Sequence, residues 1–282
     1  MRYREALREM ESRMKKAGIE DAVTDAWYLL EHVMKHAGYE NFDRSRYLLH
    51  SEEEMEASVQ SACEELVQKR LQRIPLQHLT GEQEFFGYPF YVNAHVLIPR
   101  QDTEILVEEA LKIARDRMDI LDLCTGCGCI LLSILKRVPP ANGVGADLSG
   151  EALKVAQKNA ARLGVKAEFL QSDLFEAVEG QFDMIVSNPP YIPTKDIEGL
   201  MPEVRDHEPR MALDGMEDGL YYYREIVRQS PAYLKKGGRL LLEIGYDQGE
   251  AVRGLLCGAG FENVRVVKDL GELDRVVLGT WQ

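Results

Sequence analysis

The chain has 282 residues, 45% of them apolar, and a formal net charge of −13. That length accommodates one large α/β domain and a smaller one. No apolar run reaches the length of a membrane span, and Met1-Arg2-Tyr3-Arg4-Glu5 does not open a signal peptide, so a cytoplasmic protein with no membrane partner is expected. A nucleic-acid binder normally carries a basic surface, so the acidic excess disfavours a nucleic-acid substrate and suits a basic protein partner. The five cysteines, Cys63, Cys124, Cys127, Cys129 and Cys257, show no disulfide-framework spacing and fit a reducing compartment.

Residues 1–75 read as a small helical domain used for docking. Leu7, Met10 and Met14 recur at helical spacing. A second helix carries Trp27, Leu30 and Val33 over 25–34, with Thr24 as its expected cap and Gly38 as its stop. Ser51-Glu52-Glu53-Glu54 has the pattern of a capping box leading into a third helix that runs to about Gln72, before Pro75. Residues 76–98 are expected to be a connector, because Glu84-Phe85-Phe86-Gly87-Tyr88-Pro89-Phe90-Tyr91-Val92 is aromatic with a central glycine and looks like a β-hairpin.

Over 99–282 strands and helices alternate. Strands are predicted at 119–123, 143–147, 167–170, 182–186 and 239–244 and near Val264 and Val276; helices are predicted at 130–136, 150–163, 220–234 and 249–256. This alternation predicts an α/β fold with a doubly wound, mostly parallel sheet of seven strands. Asp102, in Arg100-Gln101-Asp102-Thr103-Glu104, looks like a helix cap, and Arg100 is equally compatible with a place near the substrate. Glu208-Pro209-Arg210 reads either as a salt bridge or as a substrate contact, and Tyr221-Tyr222-Tyr223 reads as helix core.

Two stretches carry chemistry. In Leu121-Asp122-Leu123-Cys124-Thr125-Gly126-Cys127-Gly128-Cys129 a strand ends, glycines make a tight turn and a helix begins, so the backbone can approach a ligand closely. Asp147 ends the next strand, where a carboxylate can accept hydrogen bonds from both ribose hydroxyls of a nucleoside. A dinucleotide turn wants a third glycine, but bulky Leu131 stands there, which favours S-adenosylmethionine as the cofactor. The cysteines of this loop lack a fourth ligand nearby, and no metal is expected.

The second stretch is Ser187-Asn188-Pro189-Pro190-Tyr191, just past a strand. The Asn188 side-chain oxygen and the Pro189 carbonyl can accept both N–H groups of a substrate NH2. The two prolines hold those acceptors still, and Tyr191 offers a flat face for a planar amide or base. An amide nitrogen is a weak nucleophile; accepting both of its hydrogens returns electron density to it for attack on a sulfonium methyl.

At these residues the chain resembles the release-factor N5-glutamine methyltransferases, the PrmC or HemK family. The likeness is carried by Arg73-Ile74-Pro75-Leu76, Leu79-Thr80-Gly81, Val96-Leu97-Ile98-Pro99-Arg100, Asn188-Pro189-Pro190-Tyr191, Glu208-Pro209-Arg210 and Glu243-Ile244-Gly245-Tyr246. The resemblance implies a class I S-adenosylmethionine methyltransferase fold and methylation of the glutamine amide in the Gly-Gly-Gln loop of class I peptide-chain release factors. It also implies that the N-terminal helices dock that partner. Cys124, Thr125, Gly126, Cys127 and Gly128 would then approach the cofactor, with Asp147 on its ribose and Asp173 and Leu174 beside the adenine, while Asn188 to Tyr191 hold the glutamine and Asn188 also borders the cofactor. The family usually has Gly at Cys124, Ser or Thr at Cys127, Pro at Gln101 and Gly at Met216; some members have Trp at Leu174. The alternatives are a ribosomal-protein glutamine as substrate, an adenine or cytosine N-methyltransferase, for which no basic cleft is visible, and a silent cofactor-binding scaffold, against which Asn188 and Tyr191 argue.

Overall fold

A computed structural model describes residues 1–139 and 141–282. It contains two units, one of Met1–Gly81 with Met201–His207 and one of Glu82–Leu200 with Glu208–Gln282.

In the first unit, α1 (Tyr3–Lys16), α2 (Ala22–His36), α3 (Arg44–His50), α4 (Ala57–Leu71) and α5 (Leu76–Thr80) follow one another. The apolar stripes of α1, α2 and α4 meet around Met14, Leu29, Leu30 and Val67, all fully buried. Trp27 stacks on Phe42 and meets Tyr47 edge-on. Three expectations are corrected here. Asp21, not Thr24, stands at the N-cap of α2. Ser51-Glu52-Glu53-Glu54 starts no helix: Ser51 ends α3, Glu52 pairs with Arg2 and Arg4, and α4 begins after Glu56. The helix α3 itself was not expected; it buries none of its residues, so it leaves no apolar periodicity to read.

Arg70 is buried in this unit and answers two acids, Asp25 at 2.7 Å and Glu203 at 3.0 Å. Glu203 lies in the short helix Pro202–Arg205, and Arg73 adds a further contact to it at 3.3 Å. A buried cation between two carboxylates is stable only as a set, because removing one member strands the others without water. The segment Met201–His207 is thereby fastened to the helical unit.

The second unit opens with the antiparallel hairpin β1 (Glu82–Phe85) and β2 (Tyr88–Tyr91), followed by α6 (Glu104–Ile113). Then come β3 (Asp119–Leu123), α7 (Cys129–Arg137), β4 (Asn142–Asp147), α8 (Gly150–Leu163), β5 (Glu168–Gln171) and β6 (Phe182–Ser187). With Pro202–Arg205 counted as α9, the chain closes with α10 (Tyr221–Tyr233), β7 (Leu234–Glu243), α11 (Gly249–Gly258), β8 (Glu262–Lys268) and β9 (Asp274–Thr280). The seven strands form one sheet in the order β5-β4-β3-β6-β7-β9-β8, parallel except that β9 runs against both β7 and β8.

Helices cover both faces, so the central strands are apolar without alternation, yet their side chains still divide by parity. Ile120, Met184, Val186 and Leu241 enter one core, which the hairpin residues Phe85 and Phe90 share. Leu121, Leu123, Ile185, Leu240 and Leu242 enter the other. The strand order reverses direction between β3 and β6, and at such a switch point the loops after the strands diverge and leave a crevice.

Candidate active site

The two loops singled out in the sequence flank that crevice. Leu123 and Ser187 are register partners at the ends of β3 and β6, and Ser187 Oγ donates to the Leu123 carbonyl at 2.7 Å. The cofactor loop and Asn188 therefore leave adjacent strands side by side.

One cavity of the second unit is lined by Cys124, Thr125, Gly126, Cys127, Asp147, Asp173, Leu174, Asn188 and Pro190. Gly128, Pro189 and Tyr191 do not line it. Gly128 starts α7 at a φ of +81°, where a Cβ would press on Leu132 and Ala156. Gly126 has a φ of +56°, and a Cβ there would meet no protein atom within 4 Å, so its face is open to a ligand.

Each oxygen of Asp147 is used once: Oδ2 accepts from Gly126 N–H at 2.8 Å and Oδ1 from Ser149 N–H at 2.9 Å. Burial raises its pKa, opposed by those two hydrogen bonds. Both oxygens keep lone pairs that hydroxyls could meet. Thr125 turns its hydroxyl inward, onto Asp122 Oδ2 at 2.6 Å. Asp122 is fully buried, its Oδ1 makes no hydrogen bond, and burial pushes its pKa to about 7. The Asp173-Leu174 turn is tied back by Ser172, whose hydroxyl donates to the Leu174 carbonyl at 2.9 Å.

On the other side, the Asn188 amide donates to Thr103 Oγ1 at 3.4 Å. The Tyr191 carbonyl accepts from Gln248 Nε2 at 3.0 Å, and the Gln248 Oε1 accepts from Gly245 N–H at 2.9 Å. Backbone packing holds the same place: a Cβ on Gly215 or Gly219 would come within 2.7 Å or 2.4 Å of the Tyr191 backbone. Burial, then Glu243, raises the Tyr191 phenol's pKa and keeps it neutral.

Asp102 does not cap α6. A 3-10 turn over Gln101–Thr103 precedes that helix, and Asp102 instead meets Arg275 at 3.0 Å. Glu208 makes the salt bridge read as one of its two options, with Arg100, and also accepts from Ile98 N–H at 3.1 Å. Arg210 pairs with Asp214 at 3.5 Å. Of the three tyrosines only Tyr223 is core; Tyr222 lines the cavity and Tyr221 is exposed. Sequence reasoning therefore missed Tyr222, and it gave no role to Thr103, Glu243 or Gln248. Among the described residues no group of three or more His, Cys, Asp or Glu is placed to hold a metal ion. The two positions where the family usually has Gly, Cys124 and Met216, stand at left-handed φ values of 58° and 69°, the backbone region that glycine occupies without strain.

Comparison with known proteins agrees with this geometry. Residues 5–81 match the family described as the PrmC N-terminal domain, and residues 101–202 match the methyltransferase small domain. A release factor glutamine methyltransferase of Geobacter sulfurreducens is 42% identical over 94% of this chain and 92% of its own length. One of Cereibacter sphaeroides is 44% identical over 98% of each. Among solved structures, a methyltransferase from Pyrococcus furiosus aligns with a TM-score of 0.52 at 16% identity, covering 70% of this chain and 90% of its own. The T. thermophilus 16S rRNA N2 G1207 methyltransferase, solved with AdoMet and guanosine, aligns with a TM-score of 0.53 at 21% identity, over 71% of this chain and 50% of its own. At those identities the two structures show a shared fold.

Proposed function

Since the chain belongs to the release factor glutamine methyltransferase family, we propose that it methylates the side-chain amide nitrogen of the Gly-Gly-Gln glutamine in class I peptide-chain release factors, in the cytoplasm, with S-adenosylmethionine as donor. The observation that carries the reading is the shared cavity, in which Asp147 and the Gly126 turn face Asn188 across the switch point.

The residues present fit such a cofactor. Gly126 leaves an open cradle, Asp147 offers acceptors to ribose, and Leu174 with Asp173 forms a part-apolar, part-acidic slot for adenine. When bound, S-adenosylmethionine supplies an electrophilic methyl: the S–C bond breaks as the N–C bond forms. The chain's own work is positioning. Asn188 Oδ1 and the Pro189 carbonyl accept the two amide hydrogens, which aims the nitrogen lone pair and raises its electron density. Gln248 and the glycines at 215 and 219 keep the loop from yielding when substrate enters. The amide gains a positive charge in transfer and sheds one proton to solvent afterwards, so no strong base is required at the attack. Docking of the release factor is assigned to residues 1–75, with 76–98 as connector and 99–282 as the catalytic domain.

The test is methyl transfer from labelled S-adenosylmethionine to an unmodified release factor, read by peptide mass spectrometry. Label on the Gly-Gly-Gln glutamine is expected. Confirmed cofactor binding with no label there would overturn the substrate assignment and direct the search to ribosomal-protein glutamines.

A further inference from the structure

Asn188 has a carbonyl and an NH2 at the same distance from its backbone, and only one way round serves the reaction. With Oδ1 toward the cavity it accepts from a substrate amide; flipped, it presents a donor to a donor. A proline-locked backbone fixes where the side chain starts but not this choice. Something else must set it.

Beside Asn188 lie two buried polar groups to which the cofactor reading gives no role. Thr103, 2% exposed, receives the Asn188 Nδ2 donor at 3.4 Å. Glu243, 3% exposed at the end of β7, lies against both the Thr103 hydroxyl and the Asn188 amide, and its Oε2 makes no hydrogen bond. Glu243 does not line the cavity, whereas Thr103 and Asn188 do.

We infer that Glu243, acting through Thr103, is a positioning residue that holds the Asn188 amide with Nδ2 inward and Oδ1 toward the substrate. An ionised carboxylate only accepts. The Thr103 hydroxyl therefore donates to Glu243, its oxygen is left to accept from Asn188 Nδ2, and Oδ1 faces outward. If Glu243 takes up a proton it becomes a donor; Thr103 can then turn its hydrogen to Asn188, and the chain supports the flipped amide. The polarity of three side chains thus follows one proton.

Burial raises Glu243 to about 7, against the lowering effect of Thr103, Arg275 and Asn188. The charged groups facing it are Asp102 and Arg275, themselves paired at 3.0 Å. Tyr191, Tyr223 and Cys129 also lie near it, and each has a raised pKa, so none of them changes charge near neutrality. Ionisation of Glu243 thus falls in the range where activity is measured.

The inference rests on Asn188 being the substrate's acceptor, and the experiment has one arm that does not depend on substrate. In the full-length protein the side-chain 15N amide signal of Asn188, assigned by its loss in Asn188→Ala, is expected to move with a midpoint near pH 7 and to stop moving in Glu243→Gln. A pH-independent signal in the wild type overturns the proposal whatever the substrate is. In the transfer assay, Glu243→Gln is expected to lower kcat at least about tenfold, with KM for S-adenosylmethionine within about twofold, and to lose the acidic limb of the kcat profile. Asp122, which titrates in the same range, is separated by Asp122→Asn: the limb survives there if Glu243 is its source, and its disappearance overturns the assignment. Should Glu243→Gln not fold, the pair at 103 decides. Thr103→Ser keeps the relay and is expected to retain turnover; Thr103→Val has the same shape without the hydroxyl and is expected to lose tenfold or more. Equal kcat in Ser and Val variants overturns the relay.

Discussion

Replacing Asp147 by asparagine tests whether charge holds the cofactor loop. The carboxylate takes the Gly126 N–H on one oxygen at 2.8 Å and the Ser149 N–H on the other at 2.9 Å. Asparagine has the same shape and one acceptor oxygen, so one backbone N–H is left facing an NH2. A hydrogen bond to a charged group contributes about 1.5–3 kcal/mol. The Gly126 and Ser149 bonds are made within the protein itself and largely cancel in binding; at about 1.4 kcal/mol per tenfold, losing one such bond to a ribose hydroxyl weakens binding about ten- to a hundredfold. With that anionic acceptor gone, Asp147→Asn is expected to raise Kd for S-adenosylmethionine by at least tenfold in calorimetric titration. The pH dependence adds a second signature. Burial raises the folded-state pKa of Asp147, so wild-type affinity weakens as pH falls through that raised value, while the asparagine variant has no carboxylate to protonate and stays flat. A folded variant that binds within twofold of wild type would refute the assignment of Asp147 to the cofactor, and with it the reason for calling the Gly126 turn a cofactor loop.

Asn188→Ala is expected to cut methyl transfer by at least about a hundredfold while cofactor affinity holds, since only the substrate loses an acceptor; equal losses of both in calorimetry and turnover would sink that role. Met216, 43% exposed at a φ of 69°, stores left-handed strain, so Met216→Gly should gain about 0.5–1 kcal/mol, or roughly 1–3 °C in Tm, whereas Met216→Ala, still left-handed, should gain nothing; equal shifts would show that the side chain and not the backbone matters. Arg70→Met strands Asp25 and leaves Glu203 with Arg73 alone, and should cost about 3–5 kcal/mol in urea unfolding; a loss below about 1 kcal/mol would mean that water reaches the buried acids. Burial pushes the folded-state pKa of Asp122 to about 7 from the ordinary 3.8 of an aspartate, so the stability it contributes is complete below its unfolded pKa and disappears as pH rises toward 7; Asp122→Asn should therefore gain on wild type between pH 5 and pH 8 in thermal melts, and a constant difference would exclude the raised pKa.

The strands were legible because a sheet covered on both faces writes itself as unbroken apolar runs, as in Met184-Ile185-Val186 and Leu240-Leu241-Leu242. Strand direction was not: Val276 and Val277 are buried as fully as any central residue, yet β9 runs antiparallel, and nothing in its hydrophobicity says so. In the helical unit, α1 and α2 were readable from their buried stripes, while α3, which sets only Tyr47 against the core and fully buries no residue, offered none. The acidic run after Ser51 matched a capping pattern whose side chains in fact answer Arg2 and Arg4. A capping box is a local signal, and long-range ion pairs use the same residues.

In the site, glycines and prolines announced themselves because their backbone constraints are written in the residue type. The buried acids did not, since an aspartate or glutamate in sequence looks like surface. Their signal was positional: Asp122 interrupts the apolar run from Ile120 to Leu123, and Glu243 ends the run Leu240 to Leu242, so each sits where a parallel sheet leaves no water. The structure gives the two acids matching partners. Asp122 receives the hydroxyl of Thr125 and so braces the loop after β3; Glu243 lies on the hydroxyl of Thr103 and through it reaches the loop after β6. Both loops face one cavity, and the methyl must cross from the first to the second. In-line transfer tolerates little misplacement, and surface side chains would hold these loops loosely. A carboxylate that cannot leave for solvent, joined to a threonine of fixed rotamer, is a stiffer support at both ends of that path. Desolvating two acids beneath an active site costs stability, and what it gives in return is two loops that keep their spacing when the substrate arrives.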